Sequence, residues 1–412
     1  MDSKKINLLQ VCRDSYPTFR VDLTELFSKE FIGFGHSIDW MMISEEAQDS
    51  QVIEVSDHER VFLGKSLAGT SFINKVLNKP LTLLHDFKIV PQILRNDYDI
   101  VQVRDKTFAS LLGMLVCKFN KAKFVYWMSY TFVEGDLIAS QDSWAKQAYL
   151  KAAYLWARSK ITGFYLYKII VPFADHTFVQ SDRMEIHVGK LGSFDGKLTT
   201  VPMGVSNSDL ELNLSPKSDP RLEGKHAIVY LGTMIAIRRI DFFIRVLQEV
   251  IKQEPDTVLL LIGHGKDEDM QLLHDEAKRL DLEDKVIFTG FIDRIEAWRY
   301  VKACRVGMAA LPPNPVLDTC SPTKAVEYMA LSVPSVVNDV GDQGTIVEQG
   351  ETGLVADYEP KAFADAVVTL IRDDAMCATM AEKGRPFVYA NRSYDYLSSM
   401  VQDKYIDILQ KP

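Results

Sequence analysis

Two residues three apart, Lys324 and Glu327 in SPTKAVEYMAL (Ser321–Leu331), share one face of any helix that forms there. Ser321 is a helix-capping residue type, Pro322 suits a first turn, and helical register holds through Met329. A lysine in the first turn opposes the helix dipole. That placement makes sense if an anion shares the helix start, and a phosphate fits. The alternative is an i,i+3 surface ion pair behind an ordinary strand–helix turn. Val333–Val337 follows as a short buried strand ending at Asn338 and Asp339, with Gly341 and the turn Gln349–Gly353 beyond.

A second cluster lies in YLGTMIAIRRIDFFIRVL, Tyr230–Leu247. Gly232 lets backbone approach a ligand closely, and Arg238 and Arg239 stand at the start of a helix. Arginine's planar fork donates two hydrogen bonds to a phosphate at once. The alternative is two solvated arginines. Gly263-His264-Gly265-Lys266 follows an apolar run, and a lone GxG also forms simple tight turns. In the first half, polar residues gather at predicted strand ends: Arg13, Asp14, Tyr16 and Arg20 after one, Arg104 and Asp105 after another, and Ser129, Tyr130 and Glu134 after a third. No serine–histidine–aspartate or cysteine–histidine arrangement, HExxH pair or GxxxxGK[ST] loop is readable, so neither a metal nor a cofactor is expected.

The elements that must hold these residues alternate strand and helix. Predicted strands in the first half are 6–12, 37–43, 98–103, 123–128, 176–180 and 198–202. In the second they are 227–231, 258–262, 285–289, 306–310, 334–338 and 354–356, alternating with helices at 241–252, 267–280, 294–302, 322–331, 345–348 and 360–372. Such alternation implies a mainly parallel sheet covered on both faces, here twice. Domains are expected at 1–205 and 226–385, with a polar linker at 206–225 and a helical tail at 386–412. The chain's 412 residues, 47% hydrophobic and 25% charged, suit two folded domains. A net charge of −9 argues against nucleic acid as a partner. Five scattered cysteines fit a reducing cytoplasm, the start of the chain reads as a strand and not a signal peptide, and no stretch of about twenty apolar residues spans a membrane.

The stretch Ser321–Val355, with Tyr230–Leu247 before it, resembles the donor-binding segments of retaining family-4 glycosyltransferases of the bacterial polysaccharide-assembly type. The resemblance implies an α/β GT-B fold: two facing Rossmann-like doubly wound domains with a terminal helix crossing back to the first. It implies transfer of a sugar from a nucleotide-diphosphate donor (UDP- or GDP-sugar) to a hydroxyl of a glycan or lipid-linked glycan, with retention and without metal. Glu327 falls at the ribose-binding glutamate, Arg238 at the usual lysine, and Lys324 beside the diphosphate. Donor contacts are further implied at Gly232, Thr233, Arg239, Gly263, His264, Phe291, Ser321, Pro322 and Thr323, and acceptor contacts at Arg13, Asp14, Arg104, Asp105, Ser129, Tyr130 and Glu134. Two departures stand out. Thr319 replaces a glutamate that normally touches the sugar, and Thr233 an arginine. A nucleotide-sugar epimerase and a catalytically degenerate assembly partner share the architecture and remain as rivals.

Ser143–Ala174 carries Lys146, Lys151, Arg158, Lys160 and Lys168, interleaved with aromatics, and no acidic residue. That pattern predicts peripheral contact with the cytoplasmic membrane face. The alternative is helices that turn their aromatics into the core and leave lysines in water.

Overall fold

The structure is a computed structural model that describes residues 5–44, 46, 49–67, 72–194 and 196–411. Two units form: Met1–Pro202 with Tyr394–Pro412, and Met203–Ser393.

The first unit holds an eight-stranded sheet of β1 (Asn7–Ser15), β2 (Ser37–Ile43), β3 (Gln51–Ser56), β4 (Glu59–Gly64), β5 (Ile100–Arg104), β6 (Lys123–Met128), β7 (His176–Val179) and β8 (Leu198–Thr200). Its order is β3-β4-β2-β1-β5-β6-β7-β8. All neighbours are parallel except β3 and β4, an edge hairpin turning at Asp57-His58 that the sequence reading did not place. The helix Tyr394–Gln410 belongs to this unit. Its Tyr394, Leu397, Val401, Tyr405 and Ile408 recur on one face and enter the core with Leu8, Phe27, Phe31 and Trp127.

The second unit holds a six-stranded parallel sheet of β9 (His226–Leu231), β10 (Thr257–Ile262), β11 (Val286–Gly290), β12 (Val306–Ala309), β13 (Ser335–Val337) and β14 (Gly353–Val355), in the order β11-β10-β9-β12-β13-β14. TVLLLI of β10 is buried throughout, as a strand covered on both faces requires. The helix Asp241–Val250 packs Phe243, Val246, Leu247 and Val250 into one side of that core. Residues 206–225 belong to this unit. Ser206 caps a short helix, Leu210 and Leu222 are buried, and the Lys217 N–H bonds the Arg299 carbonyl at 2.8 Å. A helix at Asp374–Asn391, also not anticipated, completes the unit.

Among the parallel strands of each sheet the order reverses direction once: between β1 and β5 in the first, and between β9 and β12 in the second. Ligands of open α/β sheets bind beyond the carboxyl ends of strands at such points. No helix among the described residues is long and apolar enough to cross a membrane.

Candidate functional sites at the two strand-order reversals

In the second unit the site begins where β9 ends. The loops after β9 and β10 lie backbone to backbone: Gly232 N–H bonds Ile262 O at 2.9 Å, and Met234 N–H bonds His264 O at 3.1 Å. A Cβ on Gly263, whose φ is +133°, would lie 2.1 Å from the Gly232 carbonyl oxygen, and one on Gly265 would lie 1.8 Å from that of Met234. The GxG is therefore glycine because another loop fills the space. His264 projects into solvent, as does Thr233, and Phe291 is 85% exposed.

The helix bearing Lys324 and Glu327 runs Thr323–Ala330. Ser321 does not cap it, contrary to expectation. Pro322 occupies the N-cap and offers no side-chain hydrogen bond. The Ser321 hydroxyl instead donates to Asp342 Oδ2 at 2.7 Å and accepts from Met203 N–H at 3.0 Å, and Arg392 bonds the same carboxylate at 2.8 Å. First-turn N–H groups with no side-chain cap at their head are suited to an anion. Lys324 Nζ sits 2.7 Å from Glu327 Oε1, both side chains partly exposed.

Tyr328, which the sequence reading passed over, fixes the direction of this helix. Its buried hydroxyl accepts from Leu231 N–H at 3.0 Å and donates to Met308 O at 3.2 Å. Gly307 leaves room for the ring, since a Cβ there would lie 2.6 Å from it. One phenol thus ties the helix to the ends of β9 and β12. The only hint in sequence was a large aromatic opposite a strand glycine.

Arg238 and Arg239 part company. Arg238 lies near Gly232, with Nη1 3.4 Å from where a Cβ would stand, and its guanidinium makes no hydrogen bond or ion pair with a described residue. Its charge acts on Cys320, whose thiol burial pushes up to about 11 while Arg238 pulls the other way. The segment before the Lys324 helix and the glycine turn therefore share this guanidinium's field. Arg239, in the left-handed region at φ +50°, is committed to Asp241 through two bonds of 3.0 Å. It lines a cavity of about 280 Å³ with Arg245 and Glu276. In this structure the carboxylate at the head of the helix holds its guanidinium. Thr319 is buried and its hydroxyl donates to Val316 O at 2.8 Å.

In the first unit the expected residues divide into framework and surface. Arg104 is fully buried, bonded to Asp22 at 2.7 Å with Asp14 3.4 Å away. It positions those acids and reaches no solvent, which corrects its expected acceptor contact. Burial opposes ionisation of Asp22, but Arg104 and Arg20 outweigh it and hold the carboxyl at about 2. Asp105, left-handed at φ +56°, accepts from the Ser129 N–H at 3.0 Å and from the Ser129 hydroxyl. Arg13 is exposed and lies 4.1 Å over the Phe132 ring, and the Tyr130 ring packs against the same Phe132 ring at 4.7 Å between centroids. Glu134 accepts from Tyr167 at 2.9 Å and lies 2.9 Å from His187 Nε2. Burial would raise its pKa, and those bonds lower it below the ordinary carboxylate range. Tyr167 and His187 carried no sequence signal, being 33 and 53 residues away from Glu134.

Comparison with known proteins places this geometry. Residues 225–373 match the family model described as Glycosyl transferases group 1. The chain is 24% identical over 191 residues to an N-acetyl-alpha-D-glucosaminyl L-malate synthase of Bacillus anthracis, covering 46% of this chain and 47% of that protein. It is 28% identical over 220 residues to the putative teichuronic acid biosynthesis glycosyltransferase TuaH of Bacillus subtilis (strain 168), covering 50% and 54%. It thus spans about half the length of these curated relatives. Among solved structures, sucrose-phosphate synthase from Thermosynechococcus elongatus superposes with TM-score 0.74 at 18% identity over 98% of this chain and 99% of that one. Anabaena Alr3699/HepE in complex with UDP-glucose gives TM-score 0.64 at 15% identity, over 97% and 99%. Residues 225–373 are thus a segment of the group 1 glycosyl transferase type, within a chain that has the GT-B fold class.

Proposed function

We propose that this protein is a retaining glycosyltransferase that takes a sugar from a nucleotide-diphosphate donor and attaches it to a hydroxyl of a glycan or lipid-linked glycan during surface polysaccharide assembly. The observation that carries the reading is the convergence of an uncapped helix start, the Lys324–Glu327 pair and Arg238, whose guanidinium pairs with no described residue, beyond β9 and β12. The name of the relative TuaH supports it, and Alr3699/HepE is a protein of this fold solved in complex with UDP-glucose.

In this reading Glu327 accepts hydrogen bonds from the ribose hydroxyls, and Lys324 and the first-turn N–H groups face the diphosphate. Arg238 neutralises charge that grows on the leaving phosphate as the glycosidic bond breaks, so its contribution belongs to the transition state. Thr319 has its hydroxyl closed onto Val316, so contacts to the sugar itself come from other groups. The first unit contributes acceptor contacts through Arg13, Asp14, Tyr130 and Glu134. A lipid-linked acceptor implies work at the cytoplasmic membrane face.

A thermal-shift panel of UDP-, GDP- and dTDP-sugars tests donor binding, since a ligand of the native state raises Tm. Turnover should survive exhaustive EDTA, because cationic side chains take the place of a metal at the diphosphate. Glu327→Ala should weaken the stabilising donor by at least about tenfold, as charged hydrogen bonds are worth about 1.5–3 kcal/mol each. No donor-induced shift from any nucleotide sugar would sink the reading. Product formation without an acceptor would favour an epimerase instead.

A further inference from the structure

The helix Tyr149–Tyr165 is amphipathic in reverse. Its inward face carries Ala152, Leu155 and Ser159, packed on the helix Phe132–Ala145. Hydroxyls stitch that seam: Ser140 donates to Ala152 O at 2.7 Å and Ser159 to Val133 O at 2.8 Å. The outward face instead presents Leu150, Ala153, Ala157, Ile161 and Phe164, spaced three, four, four and three apart on a single stripe. Leu150 is 90% exposed, Ile161 60% and Phe164 58%. Of the alternative held open from sequence, the solvated lysines form but the inward aromatic face does not: Trp144, Tyr149, Tyr154, Trp156 and Phe164 are exposed, and Tyr167 alone of the segment's aromatics is buried. At the far end of this helical run the exposed Phe173 ring receives Lys118 Nζ at 5.2 Å, beside Phe119, itself 84% exposed.

The geometry points to a binding surface for anionic lipid, on which this helix lies flat. Lys151 and Lys160 flank the apolar stripe and are exposed, and 143–174 has no acid to offset them in a chain of net charge −9. The acids of the neighbouring helix are Glu134, which is bonded to Tyr167, Asp136, which is paired with Arg158, and Asp142, which is exposed. Leucine, isoleucine and phenylalanine enter the acyl boundary, tyrosine and tryptophan sit at headgroup level, and lysines meet phosphate. A second copy of the chain is the poorer occupant. A two-fold interface would set this basic face against itself, and lysine is depleted from interface cores. The inference rests on the transferase reading only for its purpose, a lipid-linked acceptor, and its test needs no donor.

Co-sedimentation of the full chain with phosphatidylglycerol vesicles and with phosphatidylcholine vesicles decides it. Binding should require the anionic lipid and fall as salt rises. K151Q/K160Q should lower partitioning by about tenfold or more. L150S/F164S should abolish it, and both positions are exposed enough to leave folding intact, checked by an unchanged melting curve. A charge-matched K252Q/K278Q control should bind as the parent. Equal binding to both lipids, or an equal loss in the control, would overturn the inference. So would a dimer that L150S/F164S turns into monomer without any vesicle binding. Loss of vesicle binding with donor-induced thermal shifts retained would leave the transferase reading standing.

Discussion

The two strand-order reversals are built from opposite materials. Beyond β9 and β12 the second unit offers backbone: glycine loops pressed together, an uncapped helix start, and an arginine whose guanidinium has no partner among the described residues. Beyond β1 and β5 the first unit offers side chains already spent on one another, with Arg104 on Asp22 and Asp14, and Asp105 on Ser129. Charge left uncommitted is available to a ligand. Charge neutralised internally holds the fold and only positions what touches a ligand. Removing a charge should therefore cost binding or catalysis in one unit and folding in the other.

The sharpest way to break this contrast is Arg104→Ala. It strands two acids, one of them buried, and breaking a buried pair from one side costs about 3–5 kcal/mol. Urea unfolding should show the first unit's transition displaced to lower urea, and an unchanged midpoint would end the framework role. Next comes Gly263→Ala, whose Cβ must displace the Gly232 carbonyl. Overpacking of this kind costs about 1–3 kcal/mol. It should fall on the second unit's transition and weaken donor binding with it, and full donor affinity in this variant would detach the loop pair from the site.

Acid should separate the units further. Burial pushes His85 down to about 4 and His176 to about 3, from 6.5, and both lie in the first unit. Each is neutral in the fold and takes a proton on unfolding below 6.5. Their contribution is thus complete above pH 6.5 and is lost as pH falls toward 4 and 3. By pH 5 each should cost about 1–2 kcal/mol. The first unit's urea midpoint should drop between pH 7 and pH 5 in the parent and hold steadier in His176→Phe. Equal drops in both would remove His176 from the account. The smallest stability effect belongs to Arg238→Ala, within about 0.5 kcal/mol, as for surface changes without partners. Its kcat should nonetheless fall, and a change confined to KM would contradict its transition-state role.

What could be read in advance follows the same division. Strand–helix alternation exposed both sheets, because apolar runs such as that of β10 are continuous when both faces are covered. Gly232, Gly263, Lys324 and Glu327 were visible because backbone approach and helix starts demand particular residue types at fixed spacing. The edge hairpin β3–β4 escaped because its outer strand is almost wholly solvent-facing and carries little periodicity. Ser321 was misjudged as a cap because its partner Asp342 lies 21 residues on, and Arg392 farther still. Local spacing does not say which of two adjacent arginines Asp241 takes, and the structure gives it Arg239. Glu134's partners, and the hydroxyl of Tyr328, act across distances that no local pattern encodes.

The helix Tyr394–Gln410 has a consequence for the order in which the molecule is made. Its Tyr405 hydroxyl donates to Gln102 at 2.7 Å, and Gln102 donates to Gln10 at 2.8 Å, so β5 and β1 wait on it for their buried polar partner. All of 203–393 is translated before that helix, roughly 10–40 s at about 5–20 residues per second. The first unit, whose sheet is translated ahead of the second unit, is therefore the one that closes after it. During that interval the buried glutamines of the nascent sheet lack the Tyr405 partner they have in the folded protein.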